Sequence, residues 1–172
     1  MKKYLVIGNP IEHSLSPKLH NYWFEKNNID ANYDRKKIDK SEIQEIISEI
    51  REGKLDGINV TVPFKSDVIP FLDTLSKESQ ITQSVNTIYK QDKKLIGHNT
   101  DIKGFELSLK ETQFNLENKT IFILGAGGVV PSIIYALEKL GTFKIIVSNR
   151  TKQKTENLKK YFSNISVVDW GD

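Results

Sequence analysis

The stretch that decides the fold is KTIFILGAGG, residues 119–128, in which an apolar strand leads directly into a glycine-rich turn. The residues that follow have the apolar spacing of a helix: Ile133, Ile134, Leu137 and Leu140. Two more apolar segments, 144–147 and 165–168, enclose a second helical segment, 152–162. The order strand, helix, strand, helix, strand predicts the βαβαβ half of a doubly wound, or Rossmann, α/β fold.

The glycine loop at residues 125–128 indicates a nucleotide site, because glycines let the backbone approach a pyrophosphate at a helix N-terminus. Val130 replaces the third glycine of the common G-x-G-x-x-G pattern, and the alternative is tight packing without a ligand. The next strand ends in Ser148-Asn149-Arg150-Thr151, which offers no acid for a ribose 2′-hydroxyl. Arg150 can instead bind a 2′-phosphate, which indicates NADP(H). The alternative is that Thr151 caps the next helix and Arg150 is solvated.

The first part of the chain also has the pattern of an α/β domain. The regular alternation of apolar strands and helices that contains the glycine loop begins only near residue 115, so we expect domains at 1–113 and 114–172. Residues 4–7 and 57–62 predict strands, and residues 85–89 and 95–96 predict a hairpin-like pair. Ser41 and Gln44 predict a capping box that begins a helix with an isoleucine stripe. The predicted fold is an N-terminal α/β domain followed by a partial Rossmann domain.

Residues 59–65, NVTVPFK, place polar side chains where a strand ends. Asn59 and Thr61 share one face of the strand, and Pro63 cannot donate to a sheet ladder. Lys65 then lies just beyond the strand end, where open α/β sheets bind their ligands. The alternative is a plain strand followed by a solvated lysine.

Three other positions combine polar groups with a helix start or a buried strand. Ser14 and Ser16 precede a helix that opens with Pro17, and would offer a small carboxylate two donors and a helix dipole. The alternative is that Ser16 only caps that helix. Asp101 at a helix start should stay ionised, or is a plain N-cap. Asn86, within a strand, makes either a structural bond or a substrate contact.

Composition excludes several classes of protein. The 172 residues are 38% hydrophobic and 27% charged, with net charge +3, which suits a soluble globular protein. No basic helix with interleaved aromatics indicates nucleic-acid binding. The chain has no cysteine, and its three histidines lack metal-ligand spacing, so we expect no metal. The apolar run at residues 4–7 is too short for a signal peptide or a membrane span, so we expect a cytoplasmic protein without membrane contact.

Taken together, seven blocks in register resemble the shikimate dehydrogenases. They are residues 8–10, 14–17, 59–65, 85–87, 97–101, 125–128 and 149–151. The resemblance implies NADPH-dependent reversible reduction of 3-dehydroshikimate to shikimate, in aromatic amino-acid synthesis. It also implies that domain 1–113 binds the substrate, that domain 114–172 binds NADP(H), and that the protein is a monomer or homodimer.

The resemblance assigns a role to each candidate residue. Lys65 would transfer the catalytic proton, with Asp101 beside it. Serines would hold the substrate carboxylate and other polar residues its hydroxyls: Ser14, Ser16, Asn59, Thr61, Asn86 and Asp101. The cofactor would contact the glycine loop and the end of the following strand: Gly125, Ala126, Gly127, Gly128, Val129, Asn149, Arg150, Thr151 and Lys154. Ser16 favours shikimate over quinate, because quinate-using relatives often carry threonine there.

The chain departs from the family mainly in length, being roughly a hundred residues shorter and ending near the third Rossmann strand. A glutamine from the absent region normally completes the substrate site. We therefore expect a C-terminal truncation, with impaired activity of the 172-residue chain. The alternatives are a non-catalytic fragment that binds substrate or NADP(H), and a quinate/shikimate dehydrogenase.

Overall fold

The computed structural model describes residues 1–171, and the chain forms two compact units, Met1–Asn99 and Thr100–Asp172. The first unit contains β1 (Lys2–Gly8), α1 (Ser16–Lys26), β2 (Ala31–Lys37), α2 (Ile43–Arg51), β3 (Gly57–Val60), β4 (Thr74–Leu75), α3 (Lys77–Thr82), β5 (Thr87–Gln91) and β6 (Lys94–His98). The second contains α4 (Asp101–Glu111), β7 (Thr120–Leu124), α5 (Val130–Lys139), β8 (Lys144–Ser148), α6 (Lys152–Leu158) and β9 (Ile165–Val168).

The sheet of the first unit has six strands in the order β2-β1-β3-β5-β6-β4. Strands β1, β2 and β3 are parallel, so their carboxyl ends meet at one edge of the sheet. Strand β5 is antiparallel to β3, so its first residues lie at this same edge. The topology therefore gathers the segments after β1 and β3 and the segment before β5, which carry most of the candidate substrate residues.

Apolar side chains cover both faces of this sheet. The isoleucines of α2 form the predicted stripe and are buried with Ile7 of β1: Ile43, Ile46, Ile47 and Ile50. The neighbouring residue Val6 points the other way and packs with Ile11 and Tyr33, against Phe24 of α1. Because adjacent strand residues face opposite sides, α1 and α2 cover opposite faces.

The start of α2 differs from its prediction. The capping box is formed by Asp39 and Glu42, whose side chain accepts the Asp39 N–H at 2.7 Å. This box encloses a short 3-10 turn, Lys40–Glu42, that leads directly into Ile43, so the prediction of a Ser41–Gln44 box was wrong by two residues. Both pairs fit the same pattern, and the sequence alone does not rank them.

Strand β2 is the outer strand of the sheet, and the side chain of Asn21 on α1 covers part of its edge. The Asn21 Nδ2 donates to the Tyr33 carbonyl at 2.8 Å, and the Tyr33 N–H donates to Asn21 Oδ1 at 2.9 Å. These are the two backbone groups that a further strand would bind, so Asn21 satisfies them and also docks α1 onto β2.

The predicted hairpin is confirmed as β5 and β6, joined at Asp92 and Lys93, which both have positive φ. Beside it, Arg51 at the end of α2 binds Asp73 through two hydrogen bonds of 2.8 and 2.9 Å. The same carboxylate accepts the Leu95 N–H of β6 at 2.7 Å. Asp73 therefore fastens the end of α2 to the hairpin.

The second unit has a parallel sheet in the order β7-β8-β9, which confirms the predicted βαβαβ half of a doubly wound fold. Helix α4 packs against α5, where the buried Glu106 carboxylate meets Lys139 at 2.6 Å. The compact units meet at residues 99 and 100, whereas the sequence-based boundary lies at 113/114. Within residues 1–171, no helix combines the length and the apolar character needed to span a bilayer.

Candidate active site

A pocket of about 290 Å³ opens at the carboxyl ends of β1 and β3, in the first unit. Its polar lining includes three of the candidate substrate residues, Ser14, Ser16 and Thr61. The other lining residues are Val6, Pro10, Ile11 and His13. The pocket therefore joins two sequence blocks that are about forty residues apart, at the edge where α/β sheets bind ligands.

The two serines have different local duties. Ser16 is the first residue of α1 and Leu15 is its N-cap residue, so the alternative that Ser16 serves as the N-cap was wrong. Pro17 lies in the first turn, as predicted. The Ser14 hydroxyl accepts the Ser16 N–H at 3.3 Å, a duty that the sequence did not indicate. The Ser16 side chain is thus not engaged in capping its own helix.

Gly8 sets how closely the Thr61 segment approaches β1. A Cβ at Gly8 would lie 2.6 Å from Thr61 Cγ2 and 3.0 Å from the Val62 carbonyl oxygen. Two backbone bonds hold this contact, from Thr61 N to Ile7 O at 2.9 Å and from Asn9 N to Val62 O at 3.0 Å. Any larger residue at position 8 would push Thr61 away from the pocket.

Asn59 lies on β3, with its side chain bound on both sides by the protein. Its Nδ2 donates to the Asn86 carbonyl at 3.1 Å and to Thr87 Oγ1 at 3.0 Å. Its Oδ1 accepts the Tyr33 hydroxyl at 2.6 Å. Both amide hydrogens are therefore used in bracing β3, and the predicted contact of Asn59 with substrate stays a prediction.

Asn86 and Lys65 are joined through the backbone before β5. The Val85 N–H donates to the Lys65 carbonyl at 2.8 Å, which holds the lysine segment beside Asn86. Asn86 is 9% exposed, and its Oδ1 accepts the Thr87 hydroxyl at 3.0 Å. Of the two alternatives for Asn86, the structural bond is present. A substrate contact by either side chain stays a prediction.

Asp101 is the first residue of α4, in the second unit, and follows the N-cap residue Thr100. The alternative that Asp101 is itself the N-cap was wrong, because it lies one residue inside the helix. The preceding Asn99 is 2% exposed, and its Nδ2 donates to the Ser84 carbonyl at 2.9 Å. The pairing of Asp101 with Lys65 stays a prediction.

The glycine loop of the second unit is open. Gly125 has a φ of +109°, so its conformation requires glycine. A Cβ at Gly127 or Gly128 would meet no atom within 4 Å among the described residues. Tight packing therefore does not explain these two glycines, whereas a ligand that approaches the backbone closely would.

Asn149 ties this loop to the end of β8. Its Oδ1 accepts the Ala126 N–H at 3.1 Å, and its Nδ2 donates to the Thr151 carbonyl at 2.9 Å. Thr151 is the N-cap residue of α6, but its hydroxyl does not cap the helix. Arg150 is exposed and makes no hydrogen bond or ion pair within residues 1–171. Its guanidinium is thus available for an anion beside the open loop.

Comparison with known proteins now decides the family. The family described as "Shikimate dehydrogenase substrate binding domain" matches residues 6–88, and "Shikimate / quinate 5-dehydrogenase" matches residues 106–170. A curated shikimate dehydrogenase (NADP(+)) of Pelagibacter ubique is 58% identical over 171 residues, which are 99% of this chain. This chain belongs to the shikimate dehydrogenase family.

Solved structures of the shikimate dehydrogenase family have the same fold. The enzyme of Aquifex aeolicus superposes with a TM-score of 0.91 at 39% identity, over 98% of this chain and 62% of that one. The Thermus thermophilus enzyme, in complex with NADP(H) and shikimate, gives 0.87 at 32% identity, over 98% and 63%. The chain also spans 64% of the length of the Pelagibacter relative.

Two residues beside the pocket were missed by sequence reasoning. The hydroxyl of Tyr33, a residue of β2, donates a hydrogen bond to Asn59 Oδ1. The Nη1 of Arg35 donates to the Ser14 carbonyl at 3.2 Å. Both lie in the polar strand ANYDRKK, whose pattern does not indicate a strand. The lone aromatic in that stretch was the available signal for Tyr33. Within residues 1–171, no cluster of acidic or histidine side chains could hold a metal ion.

Proposed function

We propose that the product of this gene catalyses the NADPH-dependent, reversible reduction of 3-dehydroshikimate to shikimate. The observation that carries the proposal is the pocket that Ser14, Ser16 and Thr61 line at the carboxyl ends of β1 and β3. Lys65 follows β3 in the sequence, four positions after Thr61. A carboxylate needs hydrogen-bond donors, and this pocket places two serine hydroxyls at the N-terminus of α1. The P. ubique relative, 58% identical, carries the same activity in its name.

The cofactor would lie against the glycine loop and the end of β8. The residues that would hold it are Gly125, Ala126, Gly127, Gly128, Val129, Asn149, Arg150, Thr151 and Lys154. The open space around Gly127 and Gly128 fits a pyrophosphate, and the exposed Arg150 fits a 2′-phosphate. When bound, NADPH supplies a hydride. No acid stands in Ser148-Asn149-Arg150-Thr151 to favour NAD.

The residues of the first unit would bind and orient the substrate and move one proton. Ser14 and Ser16 would hold the carboxylate, while Thr61, Asn59 and Asn86 would bind hydroxyls. A ketone that gains a hydride develops alkoxide charge, which a lysine ammonium stabilises before giving up its proton. We assign this role to Lys65, with Asp101 as its partner.

The test is NADP-dependent oxidation of shikimate by the complete gene product, followed by the appearance of NADPH. We expect turnover, a loss of about a hundredfold or more in Lys65→Ala, and little change in the control Lys90→Ala. Absence of turnover with retained shikimate binding would instead support the non-catalytic alternative. Turnover unaffected by Lys65→Ala would remove the role assigned to that lysine.

Parallel assays separate the remaining alternatives. Faster oxidation of quinate than of shikimate would indicate a quinate dehydrogenase, and equal use of NAD and NADP would contradict the role of Arg150. The proposal includes a cytoplasmic location and a monomeric or homodimeric state. Cell fractionation and sedimentation would test these two points.

A further inference from the structure

A continuous chain of side-chain hydrogen bonds crosses the sheet of the first unit, from β2 to the start of β5. It begins at the Tyr33 hydroxyl, which lies 2.6 Å from Asn59 Oδ1. The Asn59 Nδ2 lies 3.0 Å from Thr87 Oγ1, and the Thr87 hydroxyl lies 3.0 Å from Asn86 Oδ1. All four residues belong to the first unit, and the chain ends on Asn86, one of the candidate substrate residues.

The backbone carbonyl of Asn86 gives this chain its direction. The carbonyl lies 3.1 Å from the Asn59 side chain, and because a carbonyl can only accept, Asn59 must turn its Nδ2 toward it. Asn59 Oδ1 then faces the Tyr33 hydroxyl, which must donate. The second hydrogen of Asn59 Nδ2 is given to Thr87 Oγ1, so the single Thr87 proton goes on to Asn86 Oδ1. Each donor along the chain is thus determined by the one before it.

The backbone of the sheet holds the last part of the chain in place. Asn59 and Thr87 are directly opposite each other in the antiparallel pair of β3 and β5. The Val60 N–H donates to the Asn86 carbonyl at 2.9 Å, and the Asn86 N–H donates to the His98 carbonyl at 3.1 Å. The Asn86 side chain therefore projects from a backbone that is bonded on both sides.

Tyr33 is held as firmly at the first part of the chain. Its side chain is 4% exposed, and its ring stacks on His20 with centroids 4.2 Å apart and planes 10° apart. Its backbone is fixed by the two hydrogen bonds to Asn21. The ring is thus packed in one position, from which its hydroxyl reaches across β1 to Asn59.

We propose that Thr87 is a positioning residue that, at the end of the chain from Tyr33, holds the amide of Asn86 so that its Nδ2 donates to substrate. If this amide turned over, Nδ2 would face a Thr87 oxygen that already accepts from Asn59. The Thr87 proton would then lose Asn86 Oδ1, its one acceptor among residues 1–171. Asn86 therefore recognises a ligand oxygen that can accept a hydrogen bond, such as that of a hydroxyl. The proposal rests on the proposed function, since it takes shikimate as the ligand.

The first test needs no ligand and follows the side-chain amide NMR signals of Asn86 in the 172-residue chain. We expect them to move in Thr87→Val, which keeps the shape of the side chain without its hydroxyl, and to stay near their original positions in Thr87→Ser. The control is Thr74→Val on β4 of the same sheet, because the exposed Thr74 side chain makes no hydrogen bond within residues 1–171. Equal displacement in Thr87→Val and Thr87→Ser would overturn the role of the hydroxyl.

The chain is also tested from its other end. Tyr33→Phe removes the first donor and keeps the ring, so the Asn59 amide signals should move strongly and those of Asn86 by a smaller amount. The control is Tyr4→Phe, since Tyr4 packs on the same cluster and its hydroxyl has no partner among residues 1–171. A response of Asn59 without any response of Asn86 would remove Tyr33 from the proposal.

The last test uses shikimate oxidation by the complete gene product. Thr87→Val should raise KM for shikimate about tenfold with a smaller change in kcat, and Thr87→Ser should restore most of the KM. On an Asn86→Ala background, Thr87→Val should add little, because Thr87 acts through Asn86. Additive losses, or an unchanged KM in Thr87→Val, would overturn the role of Thr87. Failure of the unsubstituted protein to oxidise shikimate would instead contradict the proposed function, and the NMR signals would still decide whether Thr87 orients Asn86.

Discussion

At the scale of single residues, the stack of His20 on Tyr33 makes the first unit sensitive to mild acid. Burial lowers the pKa of His20 below its ordinary value of 6.5. The unfolded chain therefore binds more protons than the folded chain just below that pH, so stability rises with pH in this window. Protonation below pH 6.5 consequently costs folding free energy.

We expect the unfolding free energy to decrease as the pH is lowered from about 7.5 to about 5.5. The decrease should be smaller in His20→Phe, which keeps an aromatic ring without a titrating group. Urea unfolding at several pH values would measure this. The same substitution at the exposed His13 controls for the general effect of replacing a histidine ring by a phenyl ring. Equal slopes in wild type and His20→Phe would contradict the assignment.

Residue roles could be predicted where the chemistry is local. Ser14, Ser16 and Thr61 stand in short motifs beside a helix start or a strand end, and the structure places them in one pocket. The hydrogen bond to Asn59 Oδ1 was not predictable, because its donor is the hydroxyl of Tyr33. Tyr33 lies 26 positions away, on a strand that pairs with β1. The sequence shows that a polar side chain is present, but not which distant residue is its hydrogen-bond partner.

At the scale of elements, substitutions in the glycine loop should change cofactor affinity without lowering the stability of the fold. Ala at Gly127 or Gly128 meets no neighbour within 4 Å, so stability should be unchanged or rise by up to about 1 kcal/mol. NADP(H) affinity should fall roughly tenfold, because the methyl group keeps the pyrophosphate from the backbone.

Gly125→Ala is the matched control, since its φ of +109° strains any other residue and should cost about 1–3 kcal/mol of stability. Thermal unfolding and calorimetric titration with NADPH would measure both effects. Unchanged affinity in Gly127→Ala and Gly128→Ala would contradict the nucleotide site.

Asp73 joins α2 to the hairpin and should contribute to acid unfolding of the first unit. Hydrogen bonds from Arg51 and from the Leu95 amide lower the pKa of Asp73 from 3.8 to about 2. Such a carboxylate stabilises the fold above pH 3.8, and this contribution is lost as the pH falls toward about 2. Asp73→Asn should therefore flatten acid unfolding in that window, as measured by circular dichroism.

The control for this substitution is Asp92→Asn in the hairpin turn, where the side chain is exposed and forms no ion pair within residues 1–171. Identical acid unfolding of Asp73→Asn and wild type would show that the bonds of Asp73 to Arg51 and Leu95 contribute nothing to stability.

Helices and strands were predictable from the sequence where apolar periodicity marked them, as in α2 and β9. Strand β2 was missed because ANYDRKK has no alternating pattern, and pairing with β1 overrides its sequence.

At the scale of the whole molecule, the two sheets differ in how their outer strands are protected. Strand β7 pairs on one side only, with β8, and carries exposed apolar side chains, Phe122 at 52% and Leu124 at 71%. An apolar outer strand is a template for pairing with another chain. We therefore expect the 172-residue chain to self-associate through β7.

Leu124→Lys should reduce this association, because a charge on an outer strand opposes pairing. Light scattering over a range of concentrations would measure it. Leu107→Lys, at a 49% exposed position on α4, is the matched control and should change association little. Equal effects of the two variants would show that exposed apolar area, and not the β7 edge, drives association.

The amide of Asn21 has the opposite consequence at β2, an outer strand of the first unit. By binding both outward-facing backbone groups of Tyr33, it occupies one position of that edge with a single side chain. Another chain would have to displace α1 before it could add a strand there. Strand addition is thus opposed at the Tyr33 position of β2 by a side chain of the same protein, without any further strand to cover that edge.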